Sequence, residues 1–337
     1  MPLKVSDIGE KGLIKRILKK TNKNLIDSPF FDNLSIKSLN DDAALINFGD
    51  NYLVATSDML FKSRHFPDEM NHIQIGKKAV TVNVSDLSAM GARPIGIIVS
   101  IGLPKDMLLD DFDGLIDGIV DGCSNYNMML IGGDTNESSE LTICGTCLGI
   151  VKKENVLMKD GAKPGDIVAL TGPLGLAAAG FEVLFNNLDI ADNFKEIVLK
   201  HALEPKARSK EGILLAETGF ISSATDITDG LASEIGEIID ASSSGIGISI
   251  YEEMLPIPEE VVEVAQKTGK NPLDLVLYYG EDFELLLTIQ KEAFNLIKDK
   301  IPLFKIGEVT SSGKIIIVNK DRTQRVLKPQ GYEHLTK

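Results

Sequence analysis

Apolar positions along the chain fall into short strand-like runs separated by longer segments of helical spacing. Residues 43–48 (AALINF) and 52–56 (YLVAT) flank the turn signal GDN, which predicts a hairpin. Centred on Asp50, that hairpin places Asp42 opposite Asp58, with Cβ atoms about 5 Å apart. Two ionised carboxylates there repel by about 3 kcal/mol at an effective dielectric of about 20, and a bound cation would reverse the sign. Ile75, Ala79, Val82, Leu87 and Met90 recur at helical spacing, with Gly91 and Pro94 as a stop. A strand (GIIVSIGLP), a helix over 106–126 and strands MMLIGG and LTICGTCLGIV complete a first α/β half. The charged, Gly/Pro-marked stretch KKENVLMKDGAKPGD suggests a seam, giving domains 1–150 and 151–337. In the second half, IVALTG, SSATDIT, GIGISIY, FELLLTIQ and KIIIVNK read as strands, and PLGLAAAGFEVLF, KEGILLAETG and LASEIGEIIDAS as helices. Alternating strands and helices in both halves define a mixed α/β class.

At 337 residues the chain is long for one core, which agrees with two domains. A net charge of −14 disfavours a nucleic-acid surface, which needs clustered Lys and Arg. The N-terminal stretch reads as a short amphipathic helix, not a signal peptide, and no apolar run reaches bilayer length. Three cysteines form no disulfide framework, so a soluble, cytoplasmic protein is expected. Cys144 and Cys147 make a CxxC inside a strand, where a spacing of three turns the thiols to opposite faces. His65, His72, His201 and His334 have no metal-ligand spacing, so zinc is not expected.

The acids gather differently. In VNVSDLSAMGA, Asn83 and Asp86 share one helix face among small residues. MMLIGGDT runs a strand into Gly132, Gly133 and Asp134, where paired glycines let a bulky anion approach. ATDITDGLASEI ends a strand at Asp226 and opens a helix near Thr228 and Asp229, where free N–H groups attract anions and the acids attract cations. YYGEDFELLLTI sets Glu281 and Asp282 before a strand. TGPLGLAAAG could cradle a phosphate, but it is neither a Walker A loop nor a dinucleotide fingerprint and reads rather as a strand-to-helix turn. Hard oxygen donors of this kind suit Mg²⁺.

Seven motifs in order (DDAAL, ATSDMLFKSRHF, AVTVNVSDLSAMGA, LIGGDT, GAKPGD, DITDGL and GEDFELL) resemble the thiamine-monophosphate kinase family, a branch of the aminoimidazole-ribonucleotide synthetase superfamily. The resemblance implies that superfamily's two-domain fold, with N-terminal sheets pairing in a homodimer. It implies Mg²⁺-assisted transfer of the ATP γ-phosphoryl group to thiamine monophosphate. The attacking phosphate oxygen ionises near pH 6, so no general base is required. By position, Asp42, Thr56, Ser57, Asp58, Asp86, Asp134, Asp226 and Asp229 are implied as magnesium ligands. Gly133, Asp134, Lys159 and Thr228 are implied on the ATP side, and His65, Glu281 and Tyr332 on the substrate side. Asn40, Lys159, Thr228 and Tyr279 depart from the family pattern; Lys159 replaces an Arg, which keeps the charge and loses the bidentate grip. Rival readings are another ATP-dependent superfamily enzyme with a different acceptor, and a non-catalytic Mg-nucleotide-binding regulator.

Overall fold

A computed structural model describes residues 4–21, 36–37 and 41–335; Asn40 lies outside them. The N-terminal helix is α1 (Gly9–Thr21). The first sheet contains β1 (Ile36–Lys37), β2 (Ala44–Phe48), β3 (Asn51–Phe61), β4 (Arg93–Leu103), β5 (Met129–Glu137) and β6 (Thr142–Lys152). Its strand order is β1-β2-β3-β6-β4-β5, with only β4 and β5 parallel among the described pairs. Three helices accompany it: α2 (Lys62–His65), α3 (His72–Ala89) and α4 (Leu109–Asn125).

The second half carries α5 (Leu176–Asn186), α6 (Asp192–Leu203), α7 (Ser209–Thr218), α8 (Leu231–Ala241), α9 (Glu259–Thr268), α10 (Pro272–Leu277) and α11 (Phe294–Lys298). Its strands are β7 (Ile167–Leu170), β8 (Ile221–Asp226), β9 (Gly247–Tyr251), β10 (Leu285–Ile289), β11 (Phe304–Thr310), β12 (Ile315–Val318) and β13 (Gln324–Leu327). They form a sheet in the order β13-β12-β9-β11-β7-β10-β8. FELLLTIQ and KIIIVNK therefore belong to one sheet without being neighbours; β9, β11 and β7 lie between them.

Helix α3 explains how the first core closes. Asn71 and Gln74 exchange backbone and side-chain hydrogen bonds at its start, a reciprocal cap that fixes where the helix begins. Ile75, Ala79, Val82 and Leu87 are buried in one cluster with Val54, Ile97, Ile119 and Ile143. The strands beneath alternate. Along β3, Tyr52, Val54 and Leu60 are buried, while Ser57 and Met59 are exposed on the other face. The second core is built from Val168, Ile248, Leu286, Ile306 and their neighbours.

The hairpin register differs from expectation by one step. Phe48 pairs with Asn51 and Leu45 with Val54, so the turn is Gly49-Asp50, not a three-residue turn about Asp50. Gly49 adopts φ +61°, which a two-residue hairpin turn demands and glycine supplies without strain. Asp42 is consequently not opposite Asp58. It lies ahead of β2 and turns toward the second sheet.

Candidate active site

Four buried carboxylates meet where β3, α3, β8 and the lead-in to β2 converge. Asp42 Oδ1 accepts hydrogen bonds from Thr225 Oγ1 at 3.0 Å and from Lys159 Nζ at 2.9 Å. Asp86 Oδ2 accepts from Thr56 Oγ1 at 2.5 Å, and Asp226 accepts from the Ser85 hydroxyl. The Asp58 backbone N–H donates to Asn83 Oδ1 at 3.3 Å, which is how that helix face serves the cluster. Asp42 Oδ2 and Asp58 Oδ2 are buried with no partner among the described residues.

The electrostatics are those of acids held together against their repulsion. Burial raises the Asp58 carboxyl to about 6. Burial, then Asp42, raises Asp226 to about 8. Asp86 is raised by burial and then by Asp58, Asp226 and Asp42. Asp41 is lifted to about 7 by burial and then by Asp42, although it accepts from the Lys159 N–H at 3.2 Å. Burial, then Glu10 and Glu237, lifts Asp229 to about 7. Burial works against the Lys159 ammonium, yet Asp42 and Glu237, the latter at 2.5 Å, outweigh it and raise its pKa. Lys159 is thus engaged by protein carboxylates.

Orphaned, buried carboxylate oxygens in an all-oxygen setting fit a hard divalent cation. Among the described residues no three His, Cys, Asp or Glu side chains already surround one ion position. Mg²⁺ is usually held by one or two carboxylates, water and substrate phosphates, without a closed protein cage.

Not every expected ligand joins the group. Ser57 points to the opposite face, its hydroxyl donating to the Gly145 carbonyl at 2.9 Å. Gly133 and Asp134 lie exposed on the edge strand β5, in register with Val99 and Ser100. The order β3-β6-β4-β5 puts them about 14 Å from Asp58 by strand spacing.

A second group forms beside the first. Lys78, fully buried, donates to both Glu281 carboxylate oxygens at 2.7 and 2.8 Å and to the His65 carbonyl at 2.9 Å. Its ammonium lies 6.0 Å from the Phe66 ring centre and 5.6 Å from that of Phe181. His65 Nδ1 accepts from the Phe61 N–H at 2.9 Å, which leaves Nε2 to carry the proton. Burial, then Lys78, lowers the His65 pKa, which favours the neutral ring. His334 packs 5.4 Å from His65 and 4.8 Å from Tyr332. His65, Glu281 and Tyr332 are therefore gathered around Lys78 and His334.

The two groups share a backbone seam. Thr228 O accepts from the Glu281 N–H at 2.9 Å, Ile227 O accepts from Phe283 N–H, and Asp229 O accepts from Tyr332 N–H. A Cβ on Gly280 would stand 1.6 Å from Thr228 O, so only glycine admits this approach. Glu281 is held at φ +67°, a left-handed backbone that costs a non-glycine residue about 1–3 kcal/mol and clusters at functional sites. Asp282 accepts from the N–H groups of Gly175 and Ala177 at 2.8 and 3.4 Å. The start of α5 is thereby capped by a protein carboxylate, consistent with TGPLGLAAAG as a turn. Tyr279 turns away, its hydroxyl 3.1 Å from Lys270 Nζ.

Lys78, Ser85, Thr225 and Glu237 were not among the expected site residues. Lys78 carried a signal: it lies three residues after Ile75 and four before Val82, on the apolar stripe, where a charge has to be paired. Thr225 and Glu237 carried none, because only the tertiary fold brings them to Asp42 and Lys159.

This is the architecture of a two-domain, AIR synthase-like protein. Residues 40–151 match the AIR synthase related protein N-terminal domain, and residues 163–320 match its C-terminal domain. The thiamine-monophosphate kinase of Pyrococcus horikoshii is 36% identical over 94% of this chain and 97% of its own length. That of Methanocaldococcus jannaschii is 33% identical over 90% and 93%. The solved complex of AaThiL with AMPPCP and TMP superposes with a TM-score of 0.86 at 28% identity, covering 99% of both chains. The chain belongs to the thiamine-monophosphate kinase family.

Proposed function

We propose that this chain transfers the γ-phosphoryl group of ATP to the phosphate of thiamine monophosphate, yielding thiamine diphosphate and ADP. The observation that carries the reading is the seam joining the buried acids to the Lys78–Glu281–His65 group, in a chain similar end to end to a kinase solved with AMPPCP and TMP.

Asp42, Asp58, Asp86, Asp226 and Asp229, with Thr56, would hold the magnesium ions in this reading; Ser57, which faces away, and Asp134, about 14 Å from Asp58 by strand spacing, stand outside that set. Bound Mg²⁺ screens the phosphates from each other and from the acids. Gly133, Asp134, Thr228 and Lys159 lie on the nucleotide side. On the acceptor side, Lys78 fixes the Glu281 carboxylate, which suits the positive thiazolium ring of thiamine. Neutral His65 offers Nε2–H as a donor, and Tyr332 and His334 supply aromatic faces. The attacking phosphate oxygen is already ionised at neutral pH, so these residues position and no side chain is required as a base.

The split into 1–150 and 151–337 assigns most acids to the first domain and the completion of the nucleotide and substrate site to the second. A homodimer through the first sheet is part of this proposal. It is supported by Met59, Ile95, Ile98 and Ile131, all exposed on β3, β4 and the unpaired edge β5, because exposed apolar patches and free edges call for cover. No helix among the described residues is long and apolar enough to cross a membrane, and we place the protein in the cytoplasm.

The deciding experiment measures ADP release with and without thiamine monophosphate, each with and without Mg²⁺. Release requiring both supports the proposal. ATP binding without acceptor-dependent release, or release driven only by a different acceptor, overturns it.

A further inference from the structure

A separate cleft of about 830 Å³ opens between α3, the end of α4 and the start of α7. It includes none of the catalytic residues assigned above. Lys77, on its wall, stands about 180° round α3 from Asp86 at 100° per residue. The cleft reverses the sign of the molecule: Lys77, Arg93, Lys206, Arg208 and Lys210 line it against Glu204 and Glu211, in a chain of net charge −14.

Two of the cations are already engaged. Lys77 pairs with Asp121 at 3.4 Å, and Arg208 Nε donates to Glu284 Oε2 at 2.7 Å. Arg93, Lys206 and Lys210 enter none of the ion pairs among the described residues. They surround a floor made rigid by Tyr126, whose hydroxyl accepts from the Ala207 N–H at 2.9 Å and lies 3.2 Å from Thr81 Oγ1. Pro94, Ile213 and Leu214 add apolar surface. The start of α7 adds the positive end of its dipole.

We propose that this cleft binds a phosphorylated small molecule, at a site distinct from the catalytic one and independent of divalent metal. Its volume lies within the roughly 300–1,000 Å³ typical of small-molecule sites, and its concavity favours a compact anion over a macromolecular surface. The acids of the catalytic site need cations before they accept a phosphate; Arg93, Lys206 and Lys210 do not.

The test titrates the whole protein in EDTA with inorganic pyrophosphate, followed by calorimetry, with ADP in a parallel arm to separate nucleotides from inorganic anions. Wild type binds pyrophosphate or ADP without metal, and affinity falls as salt rises. The double variant Lys206→Glu/Lys210→Glu, and separately Arg93→Glu, weaken binding at least tenfold while acceptor-dependent ADP release at saturating substrate is unchanged. Asp58→Asn leaves metal-free binding intact. Absence of binding by wild type, equal binding by both charge-reversal variants, or loss in Asp58→Asn overturns the proposal. None of these outcomes bears on whether the chain phosphorylates thiamine monophosphate.

Discussion

Replacing Asp58 with Asn separates what the fold wants from what the reaction needs. Burial lifts this carboxyl from 3.8 to about 6, and one oxygen is buried without a partner. At about 1.4 kcal/mol per unit, the ionised group costs the metal-free fold up to about 3 kcal/mol at pH 7.5. An Asn amide removes the charge and leaves an N–H₂ to be satisfied, which takes back about 1–2 kcal/mol. A net gain of about 1–2 kcal/mol corresponds, for a chain of 337 residues, to a rise in Tm of about 1–3 °C. The sign carries a pH signature. The native pKa lies above the unfolded value, so the wild-type penalty is full above about 6 and disappears as pH falls toward 4. The assay is thermal unfolding of both proteins in EDTA from pH 8 to 4, paired with ADP release in Mg²⁺. Asp58→Asn should be the more stable protein at pH 8, should lose that advantage as pH falls and be less stable than wild type by about 1–2 kcal/mol near pH 4, where only the amide's cost remains, and should be inactive. A variant that is less stable at pH 8, or that turns over near the wild-type rate, refutes the reasoning.

Lys78→Met should raise KM for thiamine monophosphate by tenfold or more with a smaller change in KM for ATP, because the lost contacts at 2.7 and 2.8 Å hold Glu281. Breaking a buried pair costs about 3–5 kcal/mol, and the partly exposed Glu281 places the loss of stability near the lower end, readable in urea unfolding. Lys159→Met leaves Asp42 and Glu237 facing each other, so its Tm in EDTA should fall and Mg²⁺ should recover more of it than in wild type; an unchanged Tm would contradict the pairing. The wild-type Tm in EDTA should rise as pH drops from 8 to 6. Asp41, Asp226, Asp229 and Asp282 are raised to about 7–8 and bind protons more tightly folded than unfolded, and saturating Mg²⁺ should flatten the profile.

How much of this was visible beforehand depended on whether the signal was local. Helix α3 was legible because its apolar spacing and its Gly91 stop are local, and the CxxC thiols separated as strand alternation requires, with Cys147 buried and Cys144 not. Helices α6 and α9 went unread, since charged stretches such as EEVVEVAQKT show the core only the few apolar residues that tertiary packing selects, and α10, PLDLVL, is too short for helical spacing to register. The hairpin was foreseen and its register was not, because one turn residue decides it. Among site residues, Asp86 and Asp226 announced themselves as acids beside small residues. His65 and His334, far apart in sequence, became neighbours only through folding.

The seam between the DITDG and GEDFE segments has a kinetic consequence. With Thr228 O locked against Gly280 and bonded to the Glu281 N–H, the turn we propose for the nucleotide side and the carboxylate we propose for the acceptor side cannot open separately. Whichever substrate arrives first will set the posture of both, so each should tighten the binding of the other, and random encounter should funnel into one ternary arrangement.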